Sequence, residues 1–137
     1  MTRRGGWLHL IPEDYLMIHF EAGRLDADDF WSVVPRRFGN ALGTDLRIGR
    51  NAYGHLRRLG LSEIAIDYVV VDPLRVPRET FAAIFAAWRD GYADTVSENA
   101  GIPRKMFVAH FDDMIATIQD PGRYAVWHVP VVAARVP

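Results

Sequence analysis

Residues 45–72 read DLRIGRNAYGHLRRLGLSEIAIDYVVVD, and this stretch decides the fold. Up to residue 59, apolar side chains recur at spacings of three and four, which predicts one buried face of a helix. Gly60 stands where a helix ends in a left-handed conformation, and residues 63–72 are rich in β-branched side chains. Residues 68–71 are apolar at every position, which predicts a strand buried on both faces. A helix joined to a strand by a tight glycine turn indicates a layered α/β protein.

Length and composition limit the classes of protein to which the chain can belong. Its 137 residues, of which 50% are hydrophobic, predict a single domain over residues 1–137. The 16 basic and 17 acidic residues give a formal net charge of −1, so nothing indicates binding to nucleic acid or to an anionic membrane. The absence of cysteine excludes disulfides and thiolate metal sites, and the five histidines show no paired metal-binding spacing, so no metal is expected. No apolar run is long enough for a signal peptide or a membrane span, which favours a cytoplasmic protein.

The amino-terminal part contains one predicted strand and one predicted helix. The strand begins at Trp7 and ends at Ile11, because Pro12 has no N–H to donate to a sheet. Residues 16–20 are apolar again and would prolong an extended segment or line a pocket. Asp26 is a predicted N-cap, followed by a helix that either covers a ligand or only packs against the core.

The remaining elements carry three informative prolines. Pro35 is expected to kink or divide the first helix. An aromatic-rich helix is predicted over residues 78–98, and its apolar stripe either packs on the sheet or closes over a cavity. Pro103 opens another helix at the favoured first position. The last strand spans residues 124–136, and Pro130 inside it indicates an edge position or a bulge.

Three consecutive polar or aromatic residues follow the first strand. In open α/β sheets, ligands bind beyond the carboxyl ends of the strands. Glu13, Asp14 and Tyr15 are therefore the first candidates for a functional site. A polar turn without function is an equally good interpretation of any one of them.

Several segments, taken in order, resemble part of a known family. Gly5 and Gly6 lead into the first strand, RIGR stands at residues 47–50, and LRRLGL at residues 56–61 precedes the second strand. With the closing strand at residues 124–136, this order is similar to the fifth, sixth and seventh strands of class I S-adenosylmethionine-dependent methyltransferases. The resemblance covers essentially the whole chain but corresponds to the carboxyl-terminal half of that family.

The resemblance implies a partial Rossmann-like methyltransferase fold. A small mixed three-stranded sheet is expected, with the strands in the order first, third, second, together with about four to five helices. Pro130 would then lie in the central strand and coincide with a bulge. The family's glycine-rich loop and the acidic residue that follows it have no counterpart here, so the cofactor-binding half is absent from this sequence. The chain is therefore expected to be truncated and inactive alone, and no cofactor-binding residue can be assigned.

The implied activity is direct transfer of a methyl group from S-adenosylmethionine to a small molecule. Glu13 or Asp14 would act as the catalytic general base if the acceptor is a hydroxyl group. Salt bridging or helix capping is the alternative for the two arginines at residues 47 and 50. The residues implied on the substrate side are Tyr15, Arg47, Arg50 and Trp88.

Other functions and a partner stay open. If the first strand lacks its neighbour, the apolar edge from Trp7 to Ile11 is exposed, which predicts a homodimer or poor solubility. The alternative function is a stand-alone α+β small-molecule-binding domain, with a pocket formed by the tryptophans at residues 31, 88 and 127. An interaction subunit without catalysis is a third possibility.

Overall fold

The computed structural model describes residues 3–137, which form four strands, four α-helices and one short 3-10 turn. The strands are β1 (Trp7–Leu10), β2 (Ile18–Phe20), β3 (Ser62–Val71) and β4 (Ala125–Arg135). The helices are α1 (Ala27–Leu42), α2 (Ile48–Arg58), α3 (Arg78–Ala100) and α4 (Arg104–Gln119), and the 3-10 turn is Tyr15–Met17. None of these helices combines the length and the hydropathy needed to cross a membrane.

The sheet is built around the last strand of the chain. β3 pairs with residues 127–135 of β4 and occupies one edge of that strand. β1 pairs with residues 132–135 of β4 and β2 with residues 125–127. β1 and β2 therefore share the opposite edge of β4. The last strand thus lies between the first strand and β3. The prediction of a mixed three-stranded sheet is wrong, because the sheet has four strands and every pair is antiparallel. The fourth strand arises where Ile18, His19 and Phe20 pair with β4.

The helix–glycine–strand unit forms at the predicted position, but Ile48 and Leu59 at the two ends of the predicted buried face are 40% and 72% exposed. Gly60 adopts a φ of 79°, and the backbone N–H of Leu61 donates to the carbonyl of Leu56 at 3.0 Å, which closes the end of α2. Ala52 and Leu56 on α2 are buried against Val132 and Ala134 of β4. The apolar spacing of this helix therefore places it on one face of the sheet.

β3 is far more exposed than its apolar sequence predicts. Residues Tyr68 and Val69 are 46% and 53% exposed, so the prediction of burial on both faces is wrong. Within residues 3–137, β3 pairs with β4 alone and is an outer strand. The two apolar cores include β3 residues near its two ends, Ile64 and Val71, and leave its middle uncovered.

Pro130 does not produce a bulge. It pairs with Tyr68 in continuous register, whereas the register shift of this pair of strands lies between Ser62 and Ala65. On its other edge, Pro130 lies opposite the interruption between β1 and β2. That edge has no ladder hydrogen bond to lose there, so the missing N–H is tolerated.

α1 is one uninterrupted helix with a side-chain cap at its amino-terminal end. The carboxylate of Asp26 accepts a hydrogen bond from the N–H of Asp29 at 2.8 Å, which confirms the predicted N-cap. Pro35 lies inside α1 and does not divide it. The main core lies between α1, α3, α4 and one end of the sheet, where Phe81 and Phe85 are completely buried.

Candidate functional site

A cavity of about 310 Å³ lies among α1, α3, α4 and the segment that follows β1. More than half of its lining side chains are aromatic. Trp88, Tyr92 and Val96 come from α3 at a spacing of four residues, so they share one helix face. Leu46 and Thr44 contribute from the loop between α1 and α2. The cavity is therefore a partly open cleft lined by elements that are distant in sequence.

Three rings in mutual contact form an aromatic wall of this cavity. Tyr15 lies parallel to Trp31, with ring centroids 5.7 Å apart, and meets Trp88 edge-on at 5.4 Å. Trp31 and Trp88 are themselves 6.4 Å apart in an edge-on arrangement. Tyr15 is placed there by the 3-10 turn, whose N-cap Asp14 accepts a hydrogen bond from the N–H of Leu16 at 3.2 Å. The turn after Pro12 thus brings the first strand's carboxyl end to the cavity.

Glu13 and Tyr15 form a polar pair on the cavity lining. The Tyr15 hydroxyl donates to Glu13 Oε2 at 2.6 Å. Burial of the ring, together with the hydrogen bond to Glu13 and the nearby carboxylate charge, raises the pKa of Tyr15 well above its usual value. Tyr15 therefore remains a protonated donor. Glu13 is solvent-exposed and lines the cavity, so it lies at the mouth.

Asp14 is turned away from the cavity into an ion pair with Arg50. Its two oxygens accept from the Arg50 backbone N–H at 3.1 Å, Nε at 2.8 Å and Nη2 at 2.7 Å, in addition to the N–H of Leu16. These four hydrogen bonds fill the acceptor sites of a carboxylate. Hydrogen bonding to Asp14 raises the pKa of Arg50. The structure favours the salt-bridge alternative for Arg50, since neither partner lines the cavity.

The other candidate residues from the sequence also fall into two groups, those that line the cavity and those that do not. Arg47 occupies the N-cap position of α2, donates its backbone N–H to Asp45 Oδ1 at 2.9 Å and is not part of the cavity lining. Trp88 lies in the aromatic wall. Trp127 contacts Trp88 at 5.1 Å but does not line the cavity, so two of the three tryptophans of the expected pocket form it. The structure brings Glu13, Tyr15 and Trp88 together and leaves Asp14, Arg47 and Arg50 outside.

One polar atom in the wall has no partner. The Nε1 of Trp31 is buried and makes no hydrogen bond within residues 3–137. An unsatisfied buried donor costs about 1–3 kcal/mol. Trp127 Nε1 and His110 Nδ1, which do not line the cavity, are in the same state, so an unpaired buried nitrogen is not specific to this site.

Comparison with known proteins adds no identification. No protein-family model matches the sequence, and no curated protein matches it. The function of the site has to be inferred from its own geometry.

Proposed function

We propose that the chain binds a compact, largely apolar organic molecule in this cavity, as the substrate-side part of an S-adenosylmethionine-dependent methyltransferase. The observation that carries the proposal is that the aromatic cavity includes Glu13 and Tyr15, the residues directly after β1. Its volume of about 310 Å³ is at the lower end of the range for small-molecule sites. An aromatic body of the ligand would pack against the wall of Tyr15, Trp31 and Trp88.

Glu13 is the candidate general base of this site. It lies at the cavity mouth, where its carboxylate can accept a proton from a hydroxyl group of the bound molecule. The hydrogen bond from Tyr15 holds that carboxylate in place. Asp14, the other candidate base, is committed to Arg50 and supports the turn from which Glu13 and Tyr15 project.

The cavity itself does not fit S-adenosylmethionine. The cofactor has two ribose hydroxyls and a charged amino-acid end, which require several polar partners, including donors for a carboxylate. The lining is predominantly apolar, and none of the lining side chains in the described chain is basic. We therefore place only the methyl acceptor in the cavity and derive no step through the cofactor.

The experiment is to tag the chain at its carboxyl terminus in its native genomic locus and purify the product. Its total length is measured by mass spectrometry, and its binding of radiolabelled S-adenosylmethionine is measured by equilibrium dialysis. We expect a product that binds the cofactor through a segment preceding this sequence and that transfers the label to apolar small molecules. A product of 137 residues without cofactor binding would overturn the methyltransferase part of the proposal.

A stand-alone binding domain is the second candidate function. It is favoured by the fact that elements of this chain, namely α1, α3, α4 and the segment after β1, supply the lining of the cavity. The same experiment separates the two functions, because a product of this length that binds apolar molecules but not the cofactor has this second function.

We also propose that β1 pairs with a second copy of the chain. Within the described residues, β1 pairs with β4 along one edge, and the other edge has no strand partner. Trp7 and Ile11 are exposed beside it. An apolar edge strand with free backbone groups supports this pairing.

A further inference from the structure

We infer that the ligand of the aromatic cavity carries a positively charged amine on its apolar body. The inference rests on the proposed binding function and adds the charge of the ligand to it. It depends on three observations: the charge of the cavity lining, the position of Glu13 outside the salt bridges of the described chain, and the aromatic wall.

The cavity lining has acidic character without a basic counterpart. Glu13 is the carboxylate among the lining side chains, and the other polar ones in the described chain are hydroxyl-bearing tyrosines and threonines. Tyr15 remains protonated and neutral, because burial and the hydrogen bond to Glu13 raise its pKa. An anionic ligand would meet a negative charge at the mouth and no cation on the walls, whereas a cation would meet a charge of opposite sign.

Glu13 differs from the buried carboxylates because, in the described chain, it forms no salt bridge with an arginine. Asp14 is bound by Arg50, Asp72 by Arg75, and Asp113 by Arg24. In the part of the chain that the structure describes, no basic side chain forms a salt bridge with Glu13, which accepts from the Tyr15 hydroxyl instead. Its position leaves the charge available to a ligand.

The aromatic wall adds a second attraction for the same kind of ligand. Cations are attracted to the faces of tryptophan and tyrosine rings, and tryptophan is the best of these. Trp31 and Trp88 line the cavity together with Tyr15. A protonated amine placed between Glu13 and this wall is attracted by both, while its apolar body fills the remaining aromatic lining.

The test uses three ligands of matched shape: 2-phenylethylamine, 2-phenylethanol and 3-phenylpropionate. Binding to the intact chain is measured by NMR titration of the four tryptophan indole N–H signals. The signals of Trp31 and Trp88 should shift, and that of Trp7, which does not line the cavity, should not. We expect the amine to bind about three- to tenfold more tightly than the alcohol, since Glu13 is exposed, and the acid to bind most weakly.

The outcomes separate this inference from the proposed function. Equal binding of all three ligands, or tighter binding of the acid, would overturn the inference that the ligand is a cation. The proposal that the cavity binds apolar molecules would then still hold. If none of the three shifts the signals of Trp31 and Trp88 at millimolar concentration, the binding function fails and the inference fails with it.

Two variants locate the charge preference. Glu13→Gln should reduce the advantage of the amine over the alcohol by about half or more, and the remaining advantage comes from the aromatic wall. Glu79→Gln removes an exposed carboxylate of α3 that does not line the cavity, and it should retain the full advantage. An advantage of the amine that is unchanged in Glu13→Gln would overturn the assignment to Glu13.

Discussion

The ring of Tyr15 lies parallel to the indole of Trp31, with 5.7 Å between the centroids and 4° between the planes. This contact joins the turn after β1 to α1 across the cavity wall. Aromatic pairs of this kind contribute about 0.5–1.5 kcal/mol beyond the area that they bury. We expect a double-mutant cycle with Tyr15→Leu and Trp31→Leu to give a coupling free energy of this size. Urea denaturation of the four proteins measures it, and additive losses would show that the two rings are not coupled.

Gly49 lies where α2 passes directly over the site turn. A Cβ atom at this position would come within 2.9 Å of both Asp14 Cβ and Pro130 Cγ. Gly49→Ala should therefore lower the free energy of unfolding by about 1–3 kcal/mol, as overpacking does elsewhere. Guanidinium denaturation provides the measurement.

Gly54 provides the matched control in the same helix. A Cβ atom there would meet Arg58 Nη1 at 3.5 Å, which is an ordinary contact. Gly54→Ala should therefore stabilise the protein by about 0.5–1 kcal/mol, because alanine has the higher helix propensity. Equal effects of the two substitutions would contradict the close approach of α2 to the turn.

Asp72 should make the stability depend on pH in the acidic range. Burial alone would raise its pKa, but hydrogen bonds from the Tyr124 hydroxyl at 2.9 Å and the Leu74 N–H at 2.9 Å, together with Arg75, hold the pKa below its usual value. A lowered folded-state pKa contributes stability above the unfolded-state pKa of about 4, and this contribution is lost as the pH falls through the folded-state value.

The variant Asp72→Asn tests this contribution. At pH 7 it should be less stable than the unsubstituted chain by about 1–3 kcal/mol, because the buried donors lose their charged acceptor. The difference should shrink as the pH is lowered below about 4. Tyr124→Phe should weaken the same pH dependence, since it removes one donor. Urea titrations between pH 2 and 7 measure both variants, and a constant difference would exclude Asp72 as the source.

Local signals were sufficient for most elements of the fold, but not for the short strand β2 or for the surroundings of the elements. Gly60 and Asp26 mark the ends of helices by their own backbone and side-chain chemistry, which sequence reveals directly. The exposure of Val69 depends on which strands and helices cover β3, and a run of apolar residues does not contain that information. Asp113 has a helical position typical of a solvated surface, yet its carboxylate is buried and forms an ion pair with the exposed side chain of Arg24, which is distant in sequence.

The candidate site shows the same limit. Glu13 and Tyr15 could be predicted because they follow a strand end, and Trp88 because it belongs to an aromatic stripe. The pairing of Asp14 with Arg50 could not be predicted, because it depends on α2 packing against the turn after β1. Adjacent residues at a strand end point in different directions. Glu13 therefore lines the cavity, whereas Asp14 forms an ion pair with Arg50.

The free edge of β1 leads to a prediction about association. Ile11 is 69% exposed beside this edge, and the unpaired backbone groups can form an antiparallel ladder with a second copy. Sedimentation velocity at increasing protein concentration should show a dimer. His9→Lys places a charge in the middle of β1 and should shift the protein to monomer, because charged edge residues oppose strand pairing. Leu74→Lys adds the same charge at a more exposed apolar residue outside β1 and should leave the dimer intact. An unsubstituted chain that stays monomeric at millimolar concentration would contradict pairing through β1.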